Sequence, residues 1–165
     1  MRLTRIVPKR LLGSAAVAAV ARRVFSRSDL TLQRATHGRF ALTTAVGLPL
    51  LLLETTGRRT GQPRVTPLTY ATQGTDFLVI GSNWGQQRQP AWALNLVDNP
   101  EAVVELRGTR IPVTAGILTG PERAEAWPLL LAVWPAYDEY VERVQATSGR
   151  EIMVFRLAIR PERSA

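Results

Sequence analysis

Between residues 48 and 118 the chain alternates strand-like runs with short turns, a pattern that leaves it little choice but an antiparallel sheet. An apolar run at 48–53 leads into a loop, and an alternating run at 65–72 leads out of it. The runs 65–72 and 77–82 flank Gln73-Gly74-Thr75-Asp76, and 102–107 and 110–118 flank Gly108-Thr109, so each pair reads as a hairpin. Between the hairpins, Pro90 opens a short helix over 90–98 that Asn99-Pro100 stops. Thr119 and Glu122 have the form of a capping box and start a helix to about residue 133. A second helical stretch covers 137–144, and a last strand covers 151–159. The expected fold is mainly β with peripheral helices, in which about six antiparallel strands form a small barrel closed by the final strand. Such a barrel fills its interior with side chains, which puts a ligand on the rim or in a groove between subunits.

The loop after the first strand carries Arg58, Arg59 and Arg64 with Thr60, Gly57 and Gly61, and no acidic residue occurs between Glu54 and Asp76. Glycines let backbone N–H groups turn towards a ligand, and arginines supply planar donor forks. Two readings stand side by side: a cradle for an anion such as phosphate, and an arginine-rich surface hairpin.

With no cysteine and His37 as the single histidine, the chain cannot build a thiolate nucleophile, a cysteine-held metal or a His-based metal cluster. The carboxylates are scattered, and none forms an acid/base pair with another. An enzyme with so few catalytic groups of its own needs a cofactor to carry the chemistry. Residues 1–40 hold nine basic residues against Asp29, which accounts for the whole net charge of +8. The remainder is neutral, which argues against nucleic-acid binding by the barrel. Within that basic stretch, the eleven apolar and small residues 11–21 make about 16 Å of helix, too short for a bilayer core of about 30 Å. Three readings fit it: a helix on an anionic membrane surface involving residues 1–28, a cleaved signal peptide, and a helix packed on the domain. The division expected is a basic helical arm at 1–30 and a barrel domain at 31–165. The absence of cysteine fits a cytoplasmic setting, with a peripheral place on the inner face of the membrane under the first reading.

Several stretches together resemble the deazaflavin-dependent nitroreductase family, split β-barrel oxidoreductases related in fold to FMN-binding split barrels. They are 48–68, Gly81-Ser82, Pro90-Ala91-Trp92 with Asn95-Leu96, Asn99-Pro100 and Trp134-Pro135-Ala136-Tyr137. The resemblance implies coenzyme F420, an 8-hydroxy-5-deazaflavin, and hydride transfer from its reduced form to a quinone, nitro compound or activated alkene. It places Arg58, Arg59, Thr60 and Arg64 at the cofactor's phosphate and acidic tail. Val65, Thr66, Pro67, Leu68 and Thr69 would run beside the deazaflavin ring. Ile80, Gly81, Ser82 and Asn83 match a second cofactor-binding segment, and Ala91, Trp92, Ala93, Leu94 and Asn95 a helix start near the anion. Trp134, Tyr137 and Tyr140, at three-residue spacing, would line the substrate pocket, with Tyr137 as the catalytic residue that donates a proton or orients the substrate. Thr69 and Trp134 stand where some relatives have tyrosine, which leaves substrate range open. The implied partner is a small molecule, a lipid-soluble quinone if the arm lies on a membrane. Split barrels often pair as homodimers.

Overall fold

One antiparallel sheet organises the molecule. Its strands are β1 (Leu50–Thr56), β2 (Pro63–Thr69), β3 (Ala71–Gln73), β4 (Asp76–Ile80), β5 (Glu101–Leu106), β6 (Thr109–Ile117) and β7 (Val154–Ile159), arranged β2-β1-β5-β6-β7-β4-β3. Among the described residues three α-helices accompany it, α1 (Ala91–Asp98), α2 (Gly120–Val133) and α3 (Tyr137–Thr147). The computed structural model describes residues 48–161, so the arm at 1–30, its three readings and His37 lie outside the described residues. No helix among the described residues is long and apolar enough to cross a membrane.

Seven strands replace the expected six because the run 65–72 breaks at Tyr70. Before the break β2 pairs with β1, and after it β3 pairs with β4. The two ends of the strand order are therefore joined through one residue, and the sheet curls round on itself as a split barrel. Pro63 and Pro67 sit in β2, whose one sheet neighbour among the described residues is β1, and proline is tolerated at such an edge.

Period-two alternation sorts the apolar residues into two cores. Leu51, Leu53, Phe77, Val79, Val104, Val113, Phe155 and Leu157 fill the barrel, and α1 plugs it with Trp92, Ala93 and Leu96. Leu78, Ile80 and Val154 face the other way and pack under α2 and α3 through Leu130, Trp134, Tyr137, Tyr140 and Val144. The interior is occupied by side chains, as expected, so ligand space lies at the periphery.

Three local expectations need correction. The β5–β6 turn is Arg107-Gly108, both at positive φ (52° and 83°), one residue earlier than read from the sequence. Thr119 occupies the N-cap of α2 but makes no side-chain capping bond. Glu122 pairs instead with Arg156 of β7 at 3.1 Å, because the sheet brings a full positive charge within its reach. Trp134 does not share a helix face with Tyr137 and Tyr140: it ends α2, and α3 begins at Tyr137.

Candidate active site

The split lies where β2 and the chain leaving β4 come together without pairing. A slot of about 210 Å³ opens there. Thr66, Pro67, Leu68 and Thr69 form one wall, Ile80, Ser82 and Asn83 another, and Trp92, Trp134, Tyr137 and Tyr140 complete it. Leu48, Leu50, Trp84 and Pro90 line it too, and sequence reasoning did not name them as site residues. Thr66 and Trp92 also border a wider cleft of about 640 Å³, lined by Arg58, Arg59, Thr60, Arg64, Val65, Ala91 and Asn95 together with Gly57 and Pro63. The two spaces thus adjoin at Thr66 and Trp92, the slot apolar and the cleft cationic, and among the described residues no carboxylate lines either. Gly81, Ala93 and Leu94 line neither space. Gly81 and Ala93 are buried beside one another, with Ala93 in the barrel core.

The cleft works differently from a backbone cradle. Gly57 N–H donates to the Gln62 carbonyl (2.8 Å), and the N–H groups of Thr60 and Gly61 donate to the Gly57 carbonyl (3.1 and 2.7 Å). Gln62 N–H donates to Thr60 Oγ1, and Arg58 N–H to Asn95 Oδ1 at 3.2 Å. These amides are consumed in shaping the loop, so an anion there would meet guanidinium groups and the start of α1. A side chain at Gly57 would put its Cβ 3.0 Å from the Gln62 carbonyl oxygen, which explains the glycine. Asn95 is buried and spends both ends of its amide on the scaffold, accepting from Arg58 and donating from Nδ2 to Thr55 Oγ1 at 3.1 Å. It holds the loop and also lines the cleft.

In the slot, Tyr137 Oη lies 2.7 Å from Thr69 Oγ1. Burial pushes the Tyr137 phenol up to about 12, and the Thr69 bond offsets this only in part, so the hydroxyl is neutral at neutral pH. Burial also raises the Tyr140 pKa; the nearby Trp134 side chain and Arg143 partly oppose the shift. Among the described residues Tyr140 Oη has no hydrogen-bond partner of normal geometry, a buried polar atom in an apolar slot. Asn83, Trp84 and Gly85 follow one another at positive φ (48°, 58° and 70°), a left-handed turn that L-residues adopt at a cost of about 1–2 kcal/mol each. The turn sets Trp84 against Trp134, with ring centroids 6.5 Å apart. The Asn-X-Gly spacing was the one sequence signal for it.

A family model for F420H(2)-dependent quinone reductases matches residues 25–157. The chain belongs to this family. The reductase is accordingly an oxidoreductase whose cofactor is coenzyme F420. An F420H(2)-dependent quinone reductase of Mycobacterium tuberculosis (strain ATCC 25618 / H37Rv) is 38% identical to it over 101 residues, covering 60% of this chain and 68% of that protein. A solved F420-H2 dependent reductase, FDR-A, aligns with it at 32% identity and a TM-score of 0.58, over 66% of this chain and 93% of the other. A second solved structure, described as a domain-swapped dimer, aligns at 27% identity and a TM-score of 0.62, over 87% and 99% of the two chains.

Proposed function

We propose that the groove holds one molecule of coenzyme F420, its phosphate and acidic tail in the arginine-lined cleft and its deazaflavin ring in the slot, facing a quinone. The observation that carries this reading is that the two spaces adjoin at Thr66 and Trp92, which suits a ligand with a flat apolar end and an anionic end. The orphaned Tyr140 hydroxyl fits it as well, since a polar atom of a bound ring system would give it a partner. When bound in reduced form, the cofactor supplies the hydride.

The protein's part is placement. Arg58, Arg59 and Arg64 neutralise the tail, and Asn95 fixes the loop that carries Arg58. The edge of β2 aligns the ring, while Trp92 divides its contacts between ring and barrel core. Trp134, Tyr137 and Tyr140 line the substrate side, where a neutral Tyr137 hydroxyl holds a proton beside the acceptor. Fluorescence titration with oxidised F420 tests the reading, and no saturable binding at micromolar concentration would sink it. Arg58→Ala or Arg64→Ala should each weaken binding about tenfold or more, the loss of a charge-assisted contact worth about 1.5–3 kcal/mol.

The basic arm suggests a lipid-soluble quinone and a place on the inner face of the membrane. Co-sedimentation with anionic liposomes, with and without residues 1–28, decides that, and identical behaviour rejects it. The dimeric neighbour favours a homodimer, which light scattering would reveal as twice the chain mass.

A further inference from the structure

A guanidinium grips the segment between β4 and α1 from behind. Arg150, between α3 and β7, donates from Nη1 to the Gly81 carbonyl (3.3 Å) and to Gln89 Oε1 (3.0 Å). Its Nη2 donates to the Ser82 carbonyl (2.8 Å) and its Nε to the Gln86 carbonyl (2.9 Å). All three nitrogens of the fork serve this one segment, and Arg150 forms no salt bridge among the described residues. Burial lowers its pKa, but a guanidinium stays charged at neutral pH.

A trans peptide sends its N–H and C=O in opposite directions. With the Gly81 and Ser82 carbonyls drawn to Arg150, the N–H groups of Ser82 and Asn83 face the other side. Neither N–H makes a hydrogen bond among the described residues. Ser82 is right-handed (φ −66°, ψ −31°) and Asn83 left-handed (φ 48°), the alternation that gathers successive N–H groups into a concavity for an anionic atom. Ser82 and Asn83 line the slot and Arg150 does not. The buried hydroxyl of Tyr140, without a hydrogen-bond partner among the described residues, belongs to the same slot.

We propose that Arg150 is a positioning residue: it aims the Ser82 and Asn83 N–H groups into the slot, where they donate to a ring carbonyl oxygen that carries negative charge. The inference rests on reading the slot as the place of the deazaflavin and the quinone, either of which brings such an oxygen. An unpaired positive charge behind two aligned peptide dipoles favours a negative oxygen in front of them. The same grip adds to the turn's own bonds, Gly85 N–H to the Ser82 carbonyl and Asn83 Nδ2 to the Arg88 carbonyl, in holding its left-handed backbone.

Arg150→Met and Arg150→Lys test this in three measurements. Without any cofactor, both variants should lose hydrogen-exchange protection at 81–86 while β5 and β6 keep theirs, because one ammonium cannot span three carbonyls. The Kd for oxidised F420 and the kcat and KM for menadione then locate the oxygen. A Kd raised about tenfold or more assigns the oxygen to the cofactor ring. An unchanged Kd and KM, with kcat reduced on the order of a hundredfold, assigns it to the quinone. Wild-type protection, Kd and kcat in folded variants would overturn the proposal, as would full rescue by lysine. If the methionine variant does not fold, the lysine variant decides on the same readouts. If the wild-type protein binds no F420, the functional reading falls, while the exchange measurement still decides whether Arg150 holds the segment.

Discussion

Tyr137 shows how much a single side chain's surroundings decide. Its hydroxyl bonds to Thr69, and burial holds its pKa at about 12 against 10.0 for a free phenol. The folded chain therefore keeps a proton that the unfolded chain gives up between pH 10 and about 12, and stability should fall as the pH climbs through that window. Tyr137→Phe should flatten the fall, measured as denaturation midpoints across the window, and should remove the last tyrosinate step from an absorbance titration. In turnover assays the same variant should lose on the order of a hundredfold in kcat if the hydroxyl delivers a proton, with the F420 Kd near wild type. An equal loss in both would mark Tyr137 as structural. The lining residues near Tyr137 were legible because they sit in short motifs. Arg150 was not, since its partners lie 61 to 69 positions away in sequence and follow no period. Asn95 was read as a helix-start residue near an anion; it does line the arginine cleft, and its bonds to Thr55 and Arg58 were not legible in the sequence.

At the level of elements, turn chemistry and period-two alternation located the hairpins to within a residue or two. They located the helices nearly as well, because apolar spacing and proline are local signals. What failed were features set by tertiary competition. The break at Tyr70 falls in a residue suited to strands and comes from the need to pass from one sheet edge to the other. The capping box failed because Arg156 outbids a backbone N–H for Glu122. Thr119→Ala should therefore cost under about 0.5 kcal/mol, where a working cap costs about 1, and a melting temperature unchanged within error is the expected outcome. A loss of a full cap's worth would show that the hydroxyl does bond the helix start.

For the whole molecule, charge and fold divide the chain. The net charge belongs to residues 1–40, and the groove depends on the few arginines of one loop. The sequence announced a small barrel but not where it fails to close, since a seam is a property of the complete strand order. In the absence of ligand, amides of β2 and of 81–86 should exchange faster than those of β5 and β6, and F420 should slow them selectively. Uniform slowing across all strands would contradict a ligand seated in the seam. Because β2 and the chain leaving β4 meet there without pairing, a ligand seated in the slot as proposed would take the place of a missing strand between them. Occupancy at a hundredfold over Kd adds about 2.7 kcal/mol to folding. A cell short of coenzyme would then carry a more easily degraded protein, and the enzyme's lifetime, not only its rate, would follow the coenzyme supply.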